Sequence, residues 1–172
     1  MTLRWWHWLI GGGVALAIVG RATRSRSPQA VLDAVATIDP ENALDLQPGA
    51  EPAGPGGTWC NKFMDQLMSL LGVPWAPWGQ YGTLVNDQIA WVDAGNGGWY
   101  PILNAGAAQV AALAGKVVIA TYYNLNGHGH IAIVLPIDGV PLQIAQAGAT
   151  NFNQGSLRLG FGNITPIFYA HD

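Results

Sequence analysis

The stretch Lys116-Val117-Val118-Ile119-Ala120-Thr121-Tyr122-Tyr123, followed beyond Asn126-Gly127-His128-Gly129 by His130-Ile131-Ala132-Ile133-Val134-Leu135, decides the fold. Both runs are rich in β-branched and aromatic residues and read as strands. Asp138-Gly139 is a hairpin turn signal, with Val140–Ala147 as the returning strand. A Gly/Asn-rich loop comes next, and Ile164–Ala170 reads as a final strand.

Upstream of residue 116 the apolar period is that of a helix. Trp59, Phe63, Leu67 and Leu70 fall on one face, with Met64, Met68 and Leu71 beside them, and Gly72 and Pro74 end the run. Thr83 caps a second expected helix, 84–94, and Asn104 caps a third, 105–114. Earlier still, Ser27-Pro28 is a helix start. Residues 46–57 form a Pro/Gly linker. Helices first and an antiparallel meander afterwards predict an α+β fold. The expected organisation is a short basic-flanked segment at 1–26, a helix and linker at 27–56, and a compact domain at 57–172.

Only 10% of the 172 residues are charged, against roughly 25% in an average soluble domain. Residues 1–26 hold four arginines and no acid, whereas residues 27–172 hold Lys62, Lys116 and Arg158 against all ten acids. An acidic body with three scattered bases cannot neutralise a run of phosphates, so nucleic acid is excluded as a partner. The apolar, aromatic composition disfavours disorder. A single cysteine rules out an internal disulfide framework.

Residues 5–20 carry no charge between Arg4 and Arg21 and would reach about 24 Å as a helix, short of a roughly 30 Å hydrocarbon core. Trp5, Trp6 and Trp8 crowd one end, as at a headgroup interface. The expectation is a retained anchor in the lipid bilayer. Arg21, Arg24 and Arg26 occupy the place of a small-residue cleavage site, which argues against a removable signal peptide. Those three arginines would keep the body in the cytoplasm by the positive-inside rule.

The polar residues concentrate on one candidate site. Cys60 falls in the first turn of an expected helix, where unpaired N–H groups and the helix dipole favour a thiolate. A buried cysteine acting as a small hydrophobe is the competing role. His130 opens a strand, a rigid base with an open side, and alternation puts it on a face with Ala132 and Val134. Gln146, on the returning strand, can accept from the far ring nitrogen and fix the tautomer. His128 belongs to the loop at the cleft edge. A Cys60, His128 and His130 zinc site lacks an acidic or second cysteine ligand at supporting spacing, so neither metal nor cofactor is expected. Trp59, Trp75 and Trp78 are candidate cleft walls.

A cysteine at a helix start in Cys60-Asn61-Lys62-Phe63, the strand opening Gly129-His130-Ile131-Ala132-Ile133-Val134 and a polar third member on the next strand resemble the CHAP and NlpC-type cell-wall hydrolases. The stretch 144–149, followed by Asn151-Phe152-Asn153, is similar to CHAP-like members that cut the peptide part of peptidoglycan. The resemblance covers about residues 57–172 and implies a papain-like fold. It implies Cys60 as nucleophile, His130 as general base and later acid, and Gln146 as the orienting group. Substrate-binding residues would be Trp59, Asn61, Trp75, Trp78, His128 and Asn151, with Asn61 the candidate second oxyanion donor beside the Cys60 N–H. The chain departs from the family where many members carry a glutamate at the place of Gln146. Thr58 and Trp59 also stand where papain-like enzymes often have an oxyanion-binding glutamine.

The expectation is thus a membrane-anchored cysteine peptidase or amidase acting on peptidoglycan at the cell envelope, as in phage or virion lysis, which requires that the positive-inside rule be overridden or that the membrane be reached by a route other than ordinary insertion. The alternative is a non-catalytic anchored module with virion or envelope assembly partners.

Overall fold

The computed structural model describes residues 26–48, 50, 59–76 and 84–172. The fold is α+β, with five α-helices and a six-stranded, wholly antiparallel sheet among those residues. In chain order these are α1 (Pro28–Ile38), α2 (Trp59–Leu71), α3 (Val85–Asp93), β1 (Tyr100–Ile102), α4 (Ala105–Leu113), β2 (Val117–Tyr122), β3 (His130–Leu135), β4 (Gln143–Gln146), β5 (Phe152–Ser156), α5 (Leu157–Phe161) and β6 (Ile167–His171).

The strand order is β1-β6-β2-β3-β4-β5. Strands β2 to β4 form the expected meander and β5 extends it where a loop was expected, but β6 crosses back to lie between β1 and β2, so the sheet as a whole is not a meander. Two expected strands begin late, each just after a proline that has no N–H for the ladder. The returning strand starts at Gln143 after Pro141, and the last strand starts at Ile167 after Pro166. Gln109 of α4 holds the β3–β4 connection, donating from Nε2 to Ile137 O at 3.1 Å and Val140 O at 2.8 Å.

Alternation divides the sheet into two apolar faces. Val117, Ile119, Ile131, Ile133, Ala145, Ala147 and Tyr169 face the core shared with α1, α2 and α3. Val118, Ala120, Ala132, Val134, Ile144, Phe168 and Ala170 belong to the core that includes α4 and Phe161 of α5. The helix at 28–38 and Leu46, placed by sequence ahead of the compact domain, contribute Val31, Ala34, Val35 and Leu46 to the first core. Ser27 Oγ caps that helix by accepting from Ala30 N at 3.2 Å.

Arg26 ties this start to the far end of the domain. Its guanidinium donates to Leu71 O at 2.9 Å, Gly72 O at 3.1 Å and Asp172 O at 2.6 Å, and it lies 3.4 Å from His171 Nδ1. Gly115 packs against the Arg26 carbonyl with no room for a side chain. His171 therefore has a structural place, its Nε2 lying 3.0 Å from Gly97 O.

No helix among the described residues is long and apolar enough to cross a membrane. The expected anchor at 5–20 lies outside them, as do Thr83 and Trp78.

Candidate functional site

His130 is the first residue of β3 and Gln146 the last of β4. The β3–β4 register pairs Ile133 with Ala145 and Val134 with Ile144. Extended by one residue, it places Gln146 opposite Ala132, diagonal to His130 on one face of the sheet. The side chains meet there, with His130 Nε2 2.7 Å from Gln146 Oε1.

The direction of that bond follows from the other end of the amide. Gln146 Nε2 donates to Thr150 O at 2.9 Å, so Oε1 must be the atom facing the ring. Oε1 can only accept, so Nε2 of His130 carries the proton and Nδ1 keeps its lone pair in the neutral ring. Burial holds the imidazole below the ordinary histidine range, and the Gln146 bond offsets only part of that effect. At neutral pH the ring is therefore a base with its available nitrogen at Nδ1.

Helix α5 covers the pair, a feature not foreseen from sequence. The Phe161 ring meets His130 edge-on at 4.9 Å. Gly160 lies so close to Gln146 Oε1 that a Cβ there would collide with it. Its signal in the sequence is only the Ser156 cap, whose Oγ accepts from Leu159 N at 3.2 Å. Asn86 of α3 is a second residue that sequence reasoning missed. Its Nδ2 donates to Asn124 O at 2.8 Å and Gly127 O at 3.0 Å, and its Oδ1 accepts from Asn124 N at 3.2 Å. It thus holds the loop that leads into His130, and it lies where a Cβ on Gly129 would collide with its Oδ1.

Cys60 is the second residue of α2 and only 2% exposed. Helix α2 packs on β3, and Cys60 belongs to the core that holds Ile131, Ile133 and Ala147. By alternation this is the face opposite to His130 and Gln146. The thiol and the imidazole thus start from opposite faces of the sheet. A chain of contacts leads from Lys62, two residues after Cys60, towards His130. Lys62 pairs with Asp45 at 2.8 Å, and Asn151 Nδ2 donates to Leu46 O at 2.7 Å. Asn151 Oδ1 accepts from Gly148 N at 2.8 Å, and the place of a Gly148 side chain is 3.5 Å from His130 Cε1.

The other expected site residues fare differently. Asn151, with both ends of its amide used by Leu46 and Gly148, is a brace in the fold rather than a group presented to a substrate. Asn61 is buried, at 2% exposure, and its Oδ1 accepts from Lys62 N at 2.8 Å. Trp59 is half-buried against the first core. Trp75 is not a cleft wall beside Cys60. It follows the opposite end of α2, its side chain beside Asp65, and stands edge-on to Trp99 at 5.6 Å. Trp99 in turn meets His171. His128 is exposed and precedes the strand, so it does not share a strand face with His130. Among the described residues no three His, Cys, Asp or Glu side chains gather as a metal-binding group.

No protein-family model matches the chain, and no curated protein matches it.

Proposed function

We propose that the chain is a cysteine hydrolase of papain-like, CHAP or NlpC type, held at the cell envelope through residues 5–20, that cleaves an amide bond in peptidoglycan. The observation that carries this reading is the bond of His130 Nε2 to Gln146 Oε1 at 2.7 Å, which directs the free lone pair of a neutral imidazole to Nδ1. A base oriented by a neutral amide is what a cysteine nucleophile requires.

In this mechanism Cys60 Sγ attacks the amide carbon while His130 Nδ1 takes the thiol proton. The imidazolium delivers that proton to the departing amine as the C–N bond breaks, leaving a thioester. Water then adds to the thioester carbon, giving a proton to Nδ1, and that proton returns to sulfur as the C–S bond breaks. Two carriers test the roles. Full-length Cys60→Ser and His130→Ala proteins are expected to lose clearing of a cell-wall suspension, and clearing at the wild-type rate by either would overturn the assignment.

The near-complete burial of Cys60 favours one second reading, an anchored structural or assembly module with an inert thiol. Iodoacetamide separates the two. A thiol reacting no faster than one with an unperturbed pKa of about 8.5 selects the module.

A further inference from the structure

A groove of about 590 Å³ lies beside α5, walled by Leu157 and Arg158 on one side and by Leu103, Asn104 and Ala105 on the other, with Phe168 in its lining. Its volume is that of a small-ligand site. We propose that it binds the free carboxylate end of a short peptide with small side chains, with Arg158 as the partner of the carboxylate.

The charge pattern carries the proposal. Lys62 is paired with Asp45, Lys116 with Asp172, and Arg26 is spent on Leu71, Gly72 and Asp172. Among the described residues the exposed Arg158 is the one lysine or arginine whose side chain has neither an ion pair nor a hydrogen bond to another residue. It stands in a groove that no acidic residue lines, on a body rich in acids. A guanidinium in mainly apolar surroundings holds a carboxylate through two parallel N–H bonds, in a fork that lysine cannot reproduce. The walls of Leu103, Ala105, Leu157 and Phe168 suit alanine-sized side chains and offer nothing to a highly charged ligand.

Its position ties it to the His130–Gln146 pair. Arg158 and Leu157 open the five-residue α5, and Gly160 and Phe161 of the same helix cover Gln146 and His130. The separation along the helix is about 5 Å. The lining residues Thr165 and Pro166 lead into β6, where Ile167 pairs with Thr121, next to the Tyr122 that pairs with His130. The groove and the pair therefore share one end and one face of the sheet. The proposal rests on the hydrolase reading for the kind of peptide, since peptidoglycan stems end in alanine carboxylates. The binding it predicts is independent of turnover.

The test uses the full chain as Cys60→Ala, so that no probe is consumed. N-acetyl-D-alanyl-D-alanine and its C-terminal amide are titrated by calorimetry. The acid is expected to bind at least about tenfold tighter than the amide. Arg158→Gln should abolish that preference with an unchanged melting temperature, and Arg158→Lys should keep part of it. Equal affinity for acid and amide, a preference that survives Arg158→Gln, or no measurable binding of the acid would each overturn the site. An Arg158-dependent preference alongside wall clearing that survives Cys60→Ser would uphold the site and refute the catalytic assignment alone.

Discussion

Replacing Gln146 by glutamate puts a carboxylate where the orienting amide stands, and both consequences can be worked from two distances. The new oxygen would lie where Oε1 does, 2.7 Å from His130 Nε2. An imidazolium and a carboxylate about 4 Å apart between charge centres attract by about 4 kcal/mol at an effective dielectric of about 20. At about 1.4 kcal/mol per unit this is an upper bound of about three pKa units. Burying the new charge opposes the gain, so the His130 pKa should rise by about 1–3 units. The second consequence is a loss. The Gln146 Nε2 bond to Thr150 O at 2.9 Å disappears and two acceptors come face to face, which costs about 1–3 kcal/mol of stability. The assay is the pH titration of the His130 Cε1 proton by NMR, with thermal unfolding measured alongside. If His130 titrates at its wild-type midpoint while the protein melts lower, the ring is not oriented by residue 146 and the tautomer argument fails.

Asp65 accepts from Gln88 Nε2 at 3.1 Å, and burial pushes its carboxyl up to about 6 from an ordinary 3.8. A folded-state pKa above the unfolded one means that stability is full below about pH 4 and declines as pH rises through about 6. The shift corresponds to about 3 kcal/mol, reduced to about 1–2 kcal/mol for a half-buried side chain. Asp65→Asn should therefore be more stable than wild type above pH 6, with the difference vanishing below pH 4; denaturant midpoints at both pH values check this. Gly160→Ala would drive a methyl into Gln146 Oε1 and to 2.6 Å from Ile144 Cδ1. Overpacking of this kind costs about 1–3 kcal/mol, and a variant with wild-type melting temperature and His130 titration would contradict the α5 cover described above.

Local rules made some elements legible and left others hidden. Ser27-Pro28 and Asn104 announce their helices because an N-cap needs only the next few residues, and both side chains accept the expected backbone N–H. The His130–Gln146 pair was legible for a similar reason, since a strand of known phase and a hairpin return nearly dictate a diagonal contact. Strands Tyr100–Ile102 and Phe152–Ser156 were not. The first is three residues long with a central proline, and the second is rich in Asn, Gln and Gly; each owes its form to a neighbouring strand, β6 and β4, that supplies the ladder. Asn151 shows the limit for polar side chains. An asparagine in an Asn-rich loop reads as available, and only the fold brings Leu46, 105 residues away in sequence, to its amide. Trp75 failed for the same reason. Sequence proximity to Trp78 and α2 does not reveal that its ring is turned towards Trp99.

The Arg26 clamp also sets a standoff. His171 pairs with Val117 at one end of β2, and Tyr122 at the other end pairs with His130. The strand between spans about 20 Å at about 3.3 Å per residue. Arg26, the first described residue, is bound to Leu71, Gly72 and Asp172 at the His171 end, so the described chain begins at the pole remote from the His–Gln pair. An anchor at 5–20, as proposed, would therefore hold the domain from the end of the sheet opposite to the proposed chemistry, and the reach of the site would be measured from that far side.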